Sequence, residues 1–498
     1  VENKTETAVY EGTYSENYRP QVHFTPEQNW MNDPNGMVYY EGEYHLFYQY
    51  YPGGLQWGPM HWGHAVSTDL LHWKHLPVAL EPDELGMIFS GSAVVDWNDS
   101  TGFFNGRHGL VAIYTSAGDT HQQQSIAYSL DKGRTWIKYQ GNPVVPNDEI
   151  KDFRDPKVFW HEDTKQWLMV LAAGQEILFY TSPDLKEWVF ASRFGEGHGA
   201  HGGVWECPDL FELPVENGAE GDTRWVLQVD IGDGAASGGS GGQYFIGSFD
   251  GQTFVNEGAP EEIRWVDYGK DFYATQSFSD IPESDGRRIW MAWMSNWQYA
   301  NEVPTSPWRS AMTLPREVAI RKESDGQMKL VQYPVRELKQ LAGESFAAGS
   351  YVLSSESATE LCEVPEGPAV YDVLLDLSSC AAAGFCLYGT GADKGFVLKA
   401  DRESGTLTAD RSDMQGSDFH EKFPAVTSAP LPISDGVVEL SVVLDTGSVE
   451  IFSTDGTVTM TNLVLPEKNN RYSISGFAEA GKAGATLTGR RLRSVWDR

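Results

Sequence analysis

Three acidic residues of this chain share one setting, each beside or near a proline. Asp33 precedes Pro34 in Asn32-Asp33-Pro34-Asn35-Gly36, Asp155 precedes Pro156 in Phe153-Arg154-Asp155-Pro156, and Glu206 opens Glu206-Cys207-Pro208-Asp209 after Trp205. Asp-Pro-Asn-Gly reads as a turn, which would seat Asp33 where a strand ends. Arg154 beside Asp155 would keep that carboxylate ionised or bind a hydroxyl. Trp205 and Cys207 solvate Glu206 poorly, and desolvation raises a carboxyl pKa, as a general acid near neutral pH requires. Each residue alone also fits a structural role: an Asx turn, a local Arg–Asp pair, a buried and paired Glu. Brought together, carboxylates in unlike surroundings would suit glycoside hydrolysis, with one nucleophile, one acid/base and one helper. Metal binding is the rival use of carboxylates, but no His-rich ligand set accompanies them, so neither metal nor cofactor is expected.

The chain must carry these residues to one place, and a repeat can do so. Apolar strand-like runs recur at Tyr44–Tyr51, Leu110–Ser116, Gln166–Ala172, Arg224–Val229 and Arg288–Met294. After four of them comes Ser-x-Asp followed by an aromatic residue: Ser67 and Asp69 with Trp73, Ser129 and Asp131 with Trp136, Ser182 and Asp184 with Trp188, Ser248 and Asp250 with Phe254. Asp and Ser cap backbone amides in a tight loop, and the aromatic pins that loop to the next sheet. Such a period, with about four short strands per unit, marks a propeller blade. Five units fill residues 20–325, and the three carboxylates fall in three of them, where propeller symmetry would gather them at one channel mouth. A β-sandwich with coincidental hairpins is the alternative, which the two-part repeat opposes.

After residue 343 tryptophan is confined to Trp496, and alternating runs such as Val370–Leu377, Val437–Leu444 and Ser448–Phe452 follow. They read as a second all-β domain, a sandwich. The expected division is a propeller with an N-terminal extension over 1–330, a linker over 331–343 and a sandwich over 344–498. Val335–Leu341 follows Pro334 as a short helical link.

The whole chain has 498 residues, with 37 Lys and Arg against 70 Asp and Glu, a net charge of −33. That charge argues against nucleic acid or an anionic membrane as a partner. No apolar stretch approaches 18 residues, so no membrane span is expected. Val1-Glu2-Asn3-Lys4 looks like a processed or trimmed start, and the acid excess fits a secreted protein. Cys207, Cys362, Cys380 and Cys386 offer no Cys-x-x-Cys pair; Cys380 could pair with Cys386, or either with Cys362, but four free thiols are expected.

The run Trp30-Met31-Asn32-Asp33-Pro34-Asn35-Gly36, Arg154-Asp155-Pro156 and Glu206-Cys207-Pro208-Asp209 together strongly resemble glycoside hydrolase family 32, the β-fructofuranosidases. Gln49-Tyr50, Trp57–His64, Phe89–Ser92, Asp271–Ala274 and Ser295–Tyr299 extend the resemblance over residues 19–325. It continues more weakly at Asp410-Arg411-Ser412 and Ser448-Val449-Glu450. The resemblance implies a five-bladed β-propeller followed by a β-sandwich. It implies Asp33 as nucleophile, Glu206 as acid/base and Asp155 as transition-state stabiliser. Asn32, Gln49, Trp57, Phe89, Ser90, Arg154, Tyr273 and Trp297 would shape the fructosyl pocket. The pattern is most similar to the exo-acting fructan hydrolases of bacteria, which implies release of fructose from levan or inulin, and sucrose as a further substrate.

Two other readings are weighed. Ser129–Trp136 resembles a sialidase Asp-box, but a sialidase needs an arginine cluster and a Tyr nucleophile. A fructan-binding propeller without catalysis would not need Asp33, Asp155 and Glu206 together. The glycine-rich Asp233–Gln243 is expected to be a mobile or closely packed loop at the pocket mouth.

Overall fold

The computed structural model describes residues 9–390 and 393–496, so Val1–Lys4 lies outside the described residues. Nearly all regular structure is strand. The first unit is a meander of β1 (Asn29–Tyr40), β2 (Glu43–Tyr51), β3 (His61–Ser67) and β4 (Lys74–Leu80). The order repeats in β5 (Met87–Val95), β6 (Leu110–Ala117), β7 (Gln122–Ser129) and β8 (Ile137–Lys138). It repeats again in β9 (Phe153–His161), β10 (Gln166–Ala173), β11 (Glu176–Ser182) and β12 (Val189–Phe194). A fourth copy is β13 (Trp205–Glu216), β14 (Thr223–Ile231), β15 (Gly241–Phe249) and β16 (Phe254–Asn256). Then come β17 (Tyr273–Ser277), β18 (Arg288–Trp293), β19 (Trp308–Arg309), β20 (Arg316–Lys322) and β21 (Met328–Pro334). Strands β17, β18, β20 and β21 pair in that order, β20 also runs parallel to β13, and β19 joins the start of β1.

The apolar runs become the second strand of each unit. They are apolar on both faces because a neighbouring sheet covers each face. On β10, Leu168 and Val170 pack with Leu227 and Val229 of the next unit, while Met169 and Leu171 pack with Val111 and Ile113 of the previous one. The Ser-x-Asp signatures close the turns after third strands. In the first, Asp69 Oδ1 accepts from the amides of Leu71 and His72, and the Trp73 indole donates to the Leu70 carbonyl. Trp136 and Trp188 donate to Gly133 and Leu185 in the same way.

The sequence reading of Asp33–Gly36 as a turn is overturned. These residues lie inside β1, whose ladder shifts register between Met31 and Pro34 and again between Asn35 and Val38. Proline and glycine, which break a regular ladder, are accommodated by bulges.

A 3₁₀ helix at Arg336–Leu341 leads to two six-stranded antiparallel sheets that enclose one core. A buried polar seam joins them to the first domain. Arg316 donates to Asp267 at 2.9 Å and to Glu450 at 2.8 Å, and Arg411 donates to Asp271 at 2.6 Å. His23 bonds Asp445 at 2.7 Å and also Glu450. All four cysteines are free.

Candidate active site

The first strand of every unit carries its site residue near its start, and each ladder slips just beyond it. The shifts fall at Met31/Pro34 in β1, Ile88/Gly91 in β5, Arg154/Lys157 in β9, Glu206/Asp209 in β13 and Tyr273/Gln276 in β17. Asp155, Cys207 and Ala274 take φ of 67°, 49° and 58° at these slips, a left-handed backbone that non-glycine residues seldom adopt. A bulge leaves a residue outside the ladder and re-aims its side chain. The slips of β1, β5, β9 and β13 turn side chains into a single cavity of about 610 Å³, which β17 does not line.

Asp33, Asp155 and Glu206 all line that cavity. Asp33 is buried, accepting from Ser90 Oγ at 2.6 Å and from Asn32 Nδ2 at 3.1 Å. Cys207 joins it to Asp155: the thiol lies 3.4 Å from a carboxyl oxygen of each, and its backbone N–H donates to Asp155 at 2.9 Å. Burial raises Asp155 to a pKa of about 6; Arg154 opposes the shift and Asp33 adds to it. Burial likewise raises Glu206 to about 7, against the pull of Arg154 and with the charges of Asp155 and Asp33 behind it. The Arg154 guanidinium stands 3.6 Å from Glu206 and donates to Asp152 at 2.8 Å and Gln122 at 3.2 Å. The result is a carboxyl that holds its proton near neutrality across from a carboxylate held by hydrogen bonds.

Asn32, Gln49, Trp57, Phe89, Ser90, Arg154 and Trp297 also line the cavity. Gln49 is anchored to Asn35 at 2.9 Å and to the Ile88 carbonyl at 3.0 Å. Trp57 is 41% exposed at the rim and meets Phe89 edge to face. Trp297 stacks on Trp30 with ring centroids 6.0 Å apart. Tyr273 stands apart from these: it is fully buried and does not line the cavity, and its hydroxyl, near Glu206, makes no hydrogen bond among the described residues. The 233–243 loop is closely packed. A Cβ on Gly239 would lie 2.3 Å from Asn296 Oδ1, and Ser240 Oγ accepts from the Trp297 amide.

Four lining residues were not found from sequence: Gln122, Asp152, Gly232 and Asn301. Asp152 had a local sign, its position two residues before Arg154. Gln122 and Asn301 reach the cavity only through folding; Asn301 accepts the Trp57 amide at 2.8 Å across 244 positions. Gly232 carries no side chain to notice, yet a Cβ there would lie 3.2 Å from Glu206 Oε1. Asp230, opposite Glu206 on β14, is a fourth buried carboxyl, pushed well above the usual range by burial. Its Val-Asp-Ile setting resembles any strand.

Residues 23–334 match the N-terminal domain of the glycosyl hydrolases of family 32, and residues 337–490 match that family's C-terminal domain. The chain belongs to glycosyl hydrolase family 32. It is 53% identical to a levanase of Bacillus subtilis over 97% of this chain and 72% of that one. Its fold superposes on the exo-inulinase of Aspergillus awamori with a TM-score of 0.90 at 35% identity, covering 97% of this chain and all of that one. The β-fructofuranosidase of Schwanniomyces occidentalis complexed with fructosyl-erythritol superposes with a TM-score of 0.84 at 34% identity, covering 97% and 99%. As a family 32 enzyme the protein is a glycoside hydrolase of fructofuranosidase type, an all-β chain that ends in a β-sandwich.

Proposed function

We propose that this protein is a retaining, exo-acting fructan hydrolase that releases fructose from levan or inulin and also cleaves sucrose. The observation that carries the proposal is the pairing in one cavity of Asp33, held by Ser90 and Asn32, with Glu206, raised to about 7. Asp33 attacks the anomeric carbon of a terminal fructosyl unit while Glu206 gives its proton to the departing oxygen. Glu206, now a carboxylate, takes a proton from water, which releases fructose from Asp33. Asp155 and Arg154 hold fructosyl hydroxyls, and their bonds tighten as positive charge develops on the ring. Asn32, Gln49 and Ser90 supply polar contacts, while Phe89, Trp57 and Trp297 exclude water and stack on the sugar.

Exo action is supported by a closed floor. Below the catalytic residues only a void of about 10 Å³ remains, bounded by Pro34, Pro156, Cys207 and Gln276. The levanase and exo-inulinase relatives support fructan as substrate. Five successive meander units support a five-bladed propeller whose last strand runs to Pro334 rather than 330, and a sandwich that opens with β22 (Ala342–Ser354) rather than at 344, with the 3₁₀ helix Arg336–Leu341 in the linker between them. The extracellular exo-inulinases among the relatives support secretion.

The test uses leaving groups. Glu206→Gln loses about 10²- to 10⁴-fold on fructan, the usual worth of a general acid. It recovers its first step on fructosyl fluoride, which leaves without a proton, and accumulates a covalent adduct. Asp33→Asn recovers on no substrate. An adduct found by mass spectrometry on any residue but Asp33, or rescue of Asp33→Asn by the fluoride, overturns the assignment.

A further inference from the structure

The strands that open on the catalytic pocket end on a second cavity. Ser90 lies near the start of β5 and Val95 at its end, Asp155 and Trp160 are placed likewise on β9, and on the longer β13 Glu206 lies near the start and Leu210 at mid-strand. At about 3.3 Å per residue, four to five residues put the two ends roughly 13–17 Å apart. A cavity of about 440 Å³ stands at that far end, lined by Val95, Trp97, Trp160, Leu210, Asp280 and Arg288 among others. Lys157, two residues beyond Asp155, lines the far cavity and is buried: its ammonium donates to the Ser277 carbonyl at 2.5 Å and lies 3.9 Å from Asp209. The two cavities are therefore opposite mouths with a packed layer between them.

The far cavity has the chemistry of a sugar site. Of 17 tryptophans, only Trp57 and Trp97 are exposed, one at each mouth. Trp97 is 53% exposed, and its indole N–H is held by Asp280 at 2.9 Å. Trp160 and Trp167 are tied in the same manner, to Glu162 at 2.8 Å and Ser100 at 2.9 Å. Three rings are thus fixed through their edges, and Trp97, which packs against His108 with ring centroids 4.9 Å apart and against Tyr40 at 6.0 Å, still leaves about half of its surface to solvent. Ring faces held in this way stack on the C–H surfaces of a sugar at little entropic cost. Arg288 lies over the Phe211 ring, 4.9 Å from its centroid, and reaches only Ser277 Oγ at 3.4 Å and the Phe278 carbonyl at 3.3 Å. No carboxylate pairs with Arg288 within 4.0 Å among the described residues, so its remaining donors are open to a ligand. Glu283 at the edge is exposed and offers acceptors. Asp96, Asp280, Glu212 and Glu283 outnumber Lys157 and Arg288, which disfavours an anionic ligand.

We propose that this cavity is a second binding site for a neutral oligosaccharide, and that it holds a distant stretch of the fructan, or another chain of it, while the catalytic pocket trims an end. The proposal rests on the fructan reading above. Tethering of this kind raises the local concentration of polymer ends and leaves a disaccharide unaffected.

The experiment compares the unaltered enzyme with Trp97→Ala and Glu283→Ala on levan and on sucrose, with migration through gels containing levan as a direct measure of binding. Trp97→Ala is expected to raise KM for levan roughly three- to tenfold, the worth of one stacking ring, and to weaken the retardation. Its kinetics on sucrose are expected to stay within about twofold, less than the loss of one stacking ring would cause. Unchanged levan KM and retardation in both variants overturn the proposal. So does an equal loss on levan and sucrose, which would place the effect in the catalytic pocket. Should Trp97→Ala fail to fold, Glu283→Ala decides by the same two readouts. If the unaltered enzyme cleaves sucrose but not levan, the fructan reading fails, and retardation alone then decides whether the cavity binds the polymer.

Discussion

Replacing Arg154 by Gln should move the alkaline limb of the pH–rate profile upward. Glu206 owes its raised pKa to burial, and the guanidinium 3.6 Å away is the largest influence holding it down. At an effective dielectric constant of about 20, two unit charges at that separation interact by about 5 kcal/mol, a ceiling of about three pKa units. Both side chains are less than one-fifth exposed, so screening is moderate, and water entering the vacated space takes back part of the shift. Asp152, released from its 2.8 Å bond to Arg154, adds negative charge that works upward. The expected rise is one to two units above about 7. The sign follows from the charge: without the cation the ionised form of Glu206 is less stable, so the proton donor survives to higher pH. The assay is kcat/KM on sucrose across pH 4–10, which reports the free enzyme's essential groups. The absolute rate also falls if Arg154 has its proposed hold on substrate, but the position of the limb is independent of that loss. Arg154→Lys keeps a charge on a shorter, less directed arm and should shift the limb by less. An alkaline limb that stays in place in Arg154→Gln would remove Glu206 as the proton donor or deny its coupling to Arg154.

Gly232→Ala should lower kcat about tenfold with little change in Tm, since its Cβ would press on Glu206 Oε1 from 3.2 Å and shift the proton donor by a few tenths of an ångström; full activity would show that the acid tolerates displacement. The buried His23–Glu450 pair should make stability depend on pH. His23 is raised from 6.5 to about 9, chiefly by Glu450 against the cost of burial, so its contribution, at most about 3 kcal/mol, is complete below pH 6.5 and is lost as pH climbs through 9. Glu450 is lowered from 4.5 to about 2, so its share is present above pH 4.5 and is lost as pH falls through 2. Thermal denaturation should show His23→Ala with a lower Tm and a flatter decline between pH 6.5 and 9; an unchanged slope would refute the assignment.

Local chemistry in the sequence determined a good deal of this protein. Fully apolar runs specify strands covered on both faces, and Ser-x-Asp with a following tryptophan specifies a self-capped turn, so both were legible at their own positions. Glu206 has the raised pKa expected of it, but burial in the folded cavity is the cause; adjacent side chains on a strand point to opposite faces, so Trp205 and Cys207 were no sufficient sign of it. Tertiary structure decided what depends on distant partners. Asp33-Pro34-Asn35-Gly36 carries every local mark of a turn, yet pairing with β2 on one side and packing against the neighbouring sheets keep it inside a bulged strand. Ala342–Ser354 and Lys482–Leu492 became paired strands of the sandwich although alanine and glycine give them weak strand propensity; their pairing with each other supplies what composition withholds. The second-domain residues Arg411 and Glu450 looked like faint family traces and proved to be buried ties to Asp271 and Arg316. Asn301 and Gln122 entered the site, and Trp97 came to face the opposite mouth, because closure of the repeat brings strand ends together that the chain keeps tens or hundreds of residues apart. Propensity and local capping act over a few residues, whereas a cavity is made by surfaces that meet only after folding.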